Sequence, residues 1–182
     1  MSEFAVFLRG VNVGGIKVLA KDLQEVLTRA GFDQVRTLLA SGNVVLRSEI
    51  DNIVEVHDRC DEALKNFYAT AIPTLVFTAA EVHQLAGSFP LQVPENHHAY
   101  YTLCANEAVA TELAQHAGQL SVAPAPVVFG RCLAWVCPKG SSTLDPVSKL
   151  MSKQAKKFLL TTRNHNTLVR VRKVLSTAQG TA

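Results

Sequence analysis

The segment QVRTLLASGNVVLRS, residues 34 to 48, limits what this chain can fold into more than any other. Two strand-like runs, 34–40 and 44–48, flank Ser41-Gly42-Asn43, whose small and amide side chains suit a tight reversal, so the segment reads as a β-hairpin. Its flanks narrow the choice further. FAVFLR (4–9) reads as a central strand. After it, Leu19, Leu23, Val26, Leu27 and Ala30 share one helical face, and Gly31 is the stop. Beyond the hairpin, Ile53, Val56, Cys60, Leu64 and Phe67 repeat at helical spacing. AIPTLVFT (71–78) then reads as a strand and AAEVHQLAG as a short helix.

Strand, helix, hairpin, helix, strand has few compact solutions. Right-handed crossovers on both sides of a central hairpin give a ferredoxin-like βαββαβ sandwich, so the fold class is expected to be α+β. In that topology strands one and two run the same way, which makes loop 10–17 and turn 41–43 neighbours at one end of the sheet. The expected organisation is a ferredoxin-like domain over 1–87, a proline-containing linker over 88–98 and a smaller α+β domain over 99–182. In that second part AYYTLCA reads as a strand, EAVATELAQHA as a helix, and PVVFG with RCLAWVCP as a hairpin about Gly130. Asp145 then caps a helix that starts at Pro146 and turns Val147, Leu150, Met151, Ala155 and Phe158 inward. TTRNHNT leads into a last helix marked by Leu168, Val171, Val174 and Leu175.

Charge is distributed unevenly. Residues 1–148 carry a net −5, whereas residues 149–182 carry eight Lys/Arg and no acid. Such an end attracts phosphates, nucleic acid or an acidic partner, unless it is only a set of solvated helix faces. Cys60, Cys104, Cys132 and Cys137 include no C-x-x-C pair, and an offset of five sends the last two to opposite faces of a strand. Buried free thiols are expected, with no metal site. No apolar run approaches a membrane span, and the first ten residues carry Glu3 where a signal peptide is basic. A soluble, cytoplasmic protein with no membrane partner is therefore expected.

Two polar motifs carry the functional reading. GVNVGGIK (10–17) has the strand–loop–helix context of a phosphate cradle. Ile16 between Gly15 and Lys17 breaks the P-loop pattern, however, and the spacing also fails G-x-G-x-x-G. The glycines equally suit a tight connection, and Arg9 equally suits an internal ion pair. TTRNHNT (161–167) offers Arg163 with Asn164, Asn166 and Thr167, a set fit for phosphate or carboxylate, or for capping the last helix. Tyr100 and Tyr101 lack the aromatic run of an RNA-binding sheet and read as core.

FLRGVNVGG, RTLLASGNVVL and TTRNHNTLVRV, in that order, resemble the bacterial family called domain of unknown function 1697, whose pattern runs LRGINVGG, SGN and T-x-RN-x-NT. The matching positions are Arg9, Gly10, Asn12, Gly14 and Gly15; Ser41, Gly42 and Asn43; and Arg163, Asn164, Asn166 and Thr167. The resemblance implies a two-part α+β fold of ferredoxin-like character and supplies no activity. The family often has an aromatic where His165 stands, so no shared catalytic role is assigned to it.

The residues themselves lead to the following expectation. Loop 9–17, turn 41–43 and segment 162–167 converge on a groove between the two halves. There Arg9, Lys17 and Arg163 meet a small phosphate-bearing or other anion, while Asn12, Asn43, Asn164 and Asn166 orient it. The alternatives are nucleic-acid binding by the basic C-terminal helices and a purely structural role for the motifs. Ser41, Thr161, Thr162 and His165 have no evident catalytic partner, so enzyme activity, cofactor and oligomeric state stay open.

Overall fold

The computed structural model describes residues 1–12, 16–39 and 42–177, so Gly14, Gly15 and Ser41 lie outside the described residues. The chain divides into two compact units, Met1–His83 with the C-terminal residues from Arg170, and Gln84–Val169.

The first unit contains β1 (Ser2–Leu8), α1 (Ala20–Arg29), β2 (Asp33–Leu38), β3 (Asn43–Ser48), α2 (Ile53–Tyr68) and β4 (Thr74–Thr78), with α3 (Ala79–Gly87) following. Its sheet has the order β2-β3-β1-β4 with antiparallel neighbours, as the ferredoxin-like reading requires. β1 is apolar at five consecutive positions, Phe4 to Leu8, because it is central and covered on both faces. Phe4, Val6 and Leu8 join Leu23, Val26 and Leu27 of α1 and Val56, Cys60 and Leu64 of α2 in one core. On the other face Phe7 meets Phe77 edge-on at 5.7 Å. α2 begins where the Asn52 side chain accepts from the amides of Val54 and Glu55. α1 ends at Ala30, followed by Gly31 at φ +89°.

The second unit contains β5 (His97–Cys104), α4 (Glu107–Ala117), β6 (Val127–Phe129), β7 (Cys132–Pro138), α5 (Pro146–Gln154) and β8 (Leu160–Asn164), with α6 (His165–Thr177) following. Its sheet order, β6-β7-β5-β8, repeats that of the first unit. The two halves therefore share one plan, a βαββαβ sandwich followed by a helix. The sequence pattern shows the strand, helix and hairpin of this repeat but not its last strand. The inward positions expected as far as Phe158 overrun α5, which stops at Gln154. TTRNHNT, which reads as a cap, instead begins inside β8. Among the described residues β8 is an edge strand paired only with β5, so polar side chains are tolerated along it and no apolar alternation marks it. Asp145 does cap α5, accepting from the amides of Val147 at 2.8 Å and Ser148 at 3.0 Å. The four cysteines are buried and free. Among the described residues no helix is long and apolar enough to cross a membrane.

Candidate functional site

The glycine loop and the hairpin turn are neighbours, as the topology demands. The amide of Leu8 donates to the carbonyl of Gly42 at 2.8 Å. The loop is also tied to itself. Val11 bridges to Ile16, and the Asn12 amide donates to the Ile16 carbonyl at 3.0 Å. Asn12, at φ +58°, accepts from the Val18 amide at 2.9 Å through Oδ1 and donates to the Val18 carbonyl at 3.1 Å through Nδ2. Asn43 is buried and donates to the Leu38 carbonyl at 3.3 Å. Both amides thus brace backbone. Arg9 is half-buried just past the end of β1, whereas Gly10 and Lys17 are exposed. Beside the turn lies a crevice of about 10 Å³ lined by Val18, Leu23, Leu38, Gly42 and Asn43 among others, room for about one water.

β8 divides the third motif between the two faces of its sheet. The register sets Thr162 opposite Thr102 and Asn164 opposite Tyr100 on one face, and Arg163 opposite Tyr101 on the other. Arg163 donates through Nη1 to the Thr161 hydroxyl at 2.7 Å and the Thr162 carbonyl at 3.0 Å. Burial lowers its guanidinium pKa to about 10, which leaves it charged at neutral pH. The cap of α6 is Asn164, whose Oδ1 accepts from the Asn166 amide at 2.9 Å. Asn166 is exposed and Thr167 half-buried.

Thr162 opens onto a cleft of about 580 Å³ within the second unit. The sheet supplies Tyr100, Trp135 and Thr162, α5 supplies Ser148, Lys149 and Ser152, and the loop before α5 supplies Ser142 and Thr143. The Tyr100 ring lies on that of Trp135, with centroids 4.8 Å apart and planes 22° from parallel. Behind them the Trp135 indole donates to the Thr102 hydroxyl at 3.1 Å, which sits 3.1 Å from the Thr162 hydroxyl. Asp145 occupies the first amides of α5, so the positive charge at this cleft is the Lys149 ammonium, not a bare helix terminus. Lys149 is exposed and has no ion pair among the described residues. Hydroxyls, one ammonium and two aromatic faces line the cleft, with no imidazole or carboxylate among the described lining. That equipment suits binding better than proton transfer. Nor do the described residues bring together three His, Cys, Asp or Glu able to hold a metal.

Most of these residues escape a linear reading. Ser148 and Ser152 are one helical turn apart and Ser142-Thr143 adjoin them, a clustering of hydroxyls that is the one signal in the sequence. Tyr101 is core, as expected, with its hydroxyl on the Ser88 carbonyl at 3.1 Å. Tyr100, one residue earlier, faces the cleft side and is half-buried.

The chain is similar to the conserved bacterial protein SP0830 from Streptococcus pneumoniae, with a TM-score of 0.77 over 97% of this chain and 99% of that one. At 19% identity this is a likeness of fold. No curated protein matches the chain. A family model described as Protein of unknown function (DUF1697) matches residues 1–127, and the chain belongs to that family.

Proposed function

We propose that this protein binds a small phosphate-bearing or otherwise anionic molecule, and that the cleft of the second unit is its seat. The observation that carries this reading is the lining: Lys149 and five hydroxyls gathered beside the stacked Tyr100 and Trp135 in a space of small-molecule size. Hydroxyls and an ammonium are the groups that hold phosphate oxygens, and one exposed lysine fits a ligand of low charge.

The test is a thermal-shift panel of nucleoside mono-, di- and triphosphates, sugar phosphates and dicarboxylates. A ligand at about 100 times its Kd adds roughly 2.7 kcal/mol, on the order of 5–10 °C for a chain of this size. Lys149→Ala removes that shift if the cleft is the seat. Arg9→Ala and Lys17→Ala, at the cations of the glycine loop, leave it intact. Loss on Arg9→Ala with Lys149→Ala unaffected moves the anion to the glycine loop.

A second reading, nucleic-acid binding, draws on Lys149, Lys153 and Lys156, which are exposed along and just after α5. Lys157 there is paired with Glu112 at 2.8 Å. This reading predicts a shift with short DNA or RNA that salt erases, because each neutralised phosphate releases counterions.

A further inference from the structure

Thr102 is fully buried, and among the described residues its hydroxyl has two hydrogen-bond neighbours, the Trp135 indole nitrogen and the Thr162 hydroxyl, each at 3.1 Å. An indole N–H only donates, so the Thr102 oxygen accepts there and cannot return its own proton to the indole. Leaving that proton unsatisfied in the core is costly, and the Thr162 oxygen is the acceptor within reach. The chain therefore runs one way, from Trp135 to Thr102 to Thr162. Each bond polarises the next. Thr162, accepting from Thr102 in this arrangement, keeps its own proton to offer to the cleft it lines. This wall thus presents a donor, and Lys149, which has only donors, adds to it.

Resting on the anion-binding reading above, we infer that the cleft takes a planar-ring phosphate monoester of mononucleotide class, its phosphate accepting from Thr162 and its ring lying against Tyr100. The Tyr100 face is backed by Trp135, a flat apolar surface of the kind on which bases stack. One ammonium matches one phosphate better than a polyphosphate or a nucleic-acid backbone. The ring surface sets this ligand apart from inorganic phosphate.

Calorimetric titration with adenosine 5′-monophosphate, adenosine and ribose 5-phosphate tests the assignment. The wild-type protein binds the monophosphate more tightly than either part. Thr162→Val, which keeps the branched shape and removes the hydroxyl, weakens it roughly ten- to a hundredfold, and Thr162→Ser restores it. Tyr100→Leu reduces the monophosphate to the affinity of ribose 5-phosphate and leaves ribose 5-phosphate unchanged. If Thr162→Val binds the monophosphate as wild type while Lys149→Ala does not, the directed donor is refuted and the anion site stands. If another anion of the panel binds and the monophosphate does not, the ligand class is refuted and the anion site again stands. If no anion binds, both fall together.

Discussion

Gly42 separates packing from recognition in the hairpin motif. Its φ of +68° is left-handed, and a Cβ built there falls 2.8 Å from the Leu8 Cβ and 2.9 Å from the Val11 Cγ2. Leu8 is buried at the end of a central strand and Val11 is buried in the closed loop, so neither retreats cheaply. The left-handed backbone costs an alanine about 1–2 kcal/mol, and overpacking adds about 1–3 kcal/mol. Gly42→Ala should therefore lose about 2–5 kcal/mol, a fall of very roughly 5–20 °C in melting temperature. Gly10 is the matched control. It has nearly the same φ, +70°, but no atom of the described residues within 4 Å of its added Cβ. Gly10→Ala should lose only the backbone part, about 1–2 kcal/mol. Thermal unfolding of both variants, followed by far-UV circular dichroism, gives the steric part as their difference. Equal stabilities would refute the claim that the hairpin glycine exists to let the first loop close on it.

Burial pushes the thiols of Cys60 and Cys104 up to about 12 and that of Cys137 up to about 11, with Asp61 adding to the shift at Cys60 and Asp145 at Cys137. The ordinary value for a thiol is 9.0, so above about pH 9 the unfolded chain sheds protons that the folded chain keeps. Stability should then fall by up to about 1.4 kcal/mol per pH unit for each thiol up to its folded pKa. The urea midpoint at pH 10 is expected below that at pH 8, and a flat profile contradicts the burial argument. Consistently, alkylation at pH 8 should modify no cysteine in the folded protein and all four in urea. Asp145→Ala strips the cap from two α5 amides and should cost about 1 kcal/mol. It also removes a carboxylate near Lys149, so anion affinity should rise or hold; a steep drop would show that Asp145 itself orders the cleft.

How much could be read from the chain followed from how local each signal was. The first unit was legible because its hairpin, two amphipathic helices and apolar strands lie within short stretches. The proximity of the glycine loop to the turn followed from topology alone. Leu160–Asn164 was not legible as a strand, because an edge position removes the apolar alternation that marks one and a run of Thr, Arg and Asn imitates a cap. That single misreading hid the repeated plan of the second unit. It also made TTRNHNT look like one polar collection, when a strand sends Arg163 and Thr162 to opposite faces. The cleft was hidden for another reason. Tyr100, Trp135, Lys149 and Thr162 come from four elements, and only the pairing of β5 with β7 and β8, with α5 laid alongside, makes them neighbours.

Trp135 is the only tryptophan of the chain, so its indole N–H gives a single reporter inside the cleft wall. The most direct measurement is an amide and indole NMR titration of the wild-type protein with adenosine 5′-monophosphate. A ligand seated in the cleft must move the Trp135 indole resonance saturably, together with amides between Ser142 and Ser152, and Lys149→Ala must weaken both. Shifts confined to residues 9–17 and 42–43, with the indole still, would contradict the cleft and return the ligand to the glycine loop.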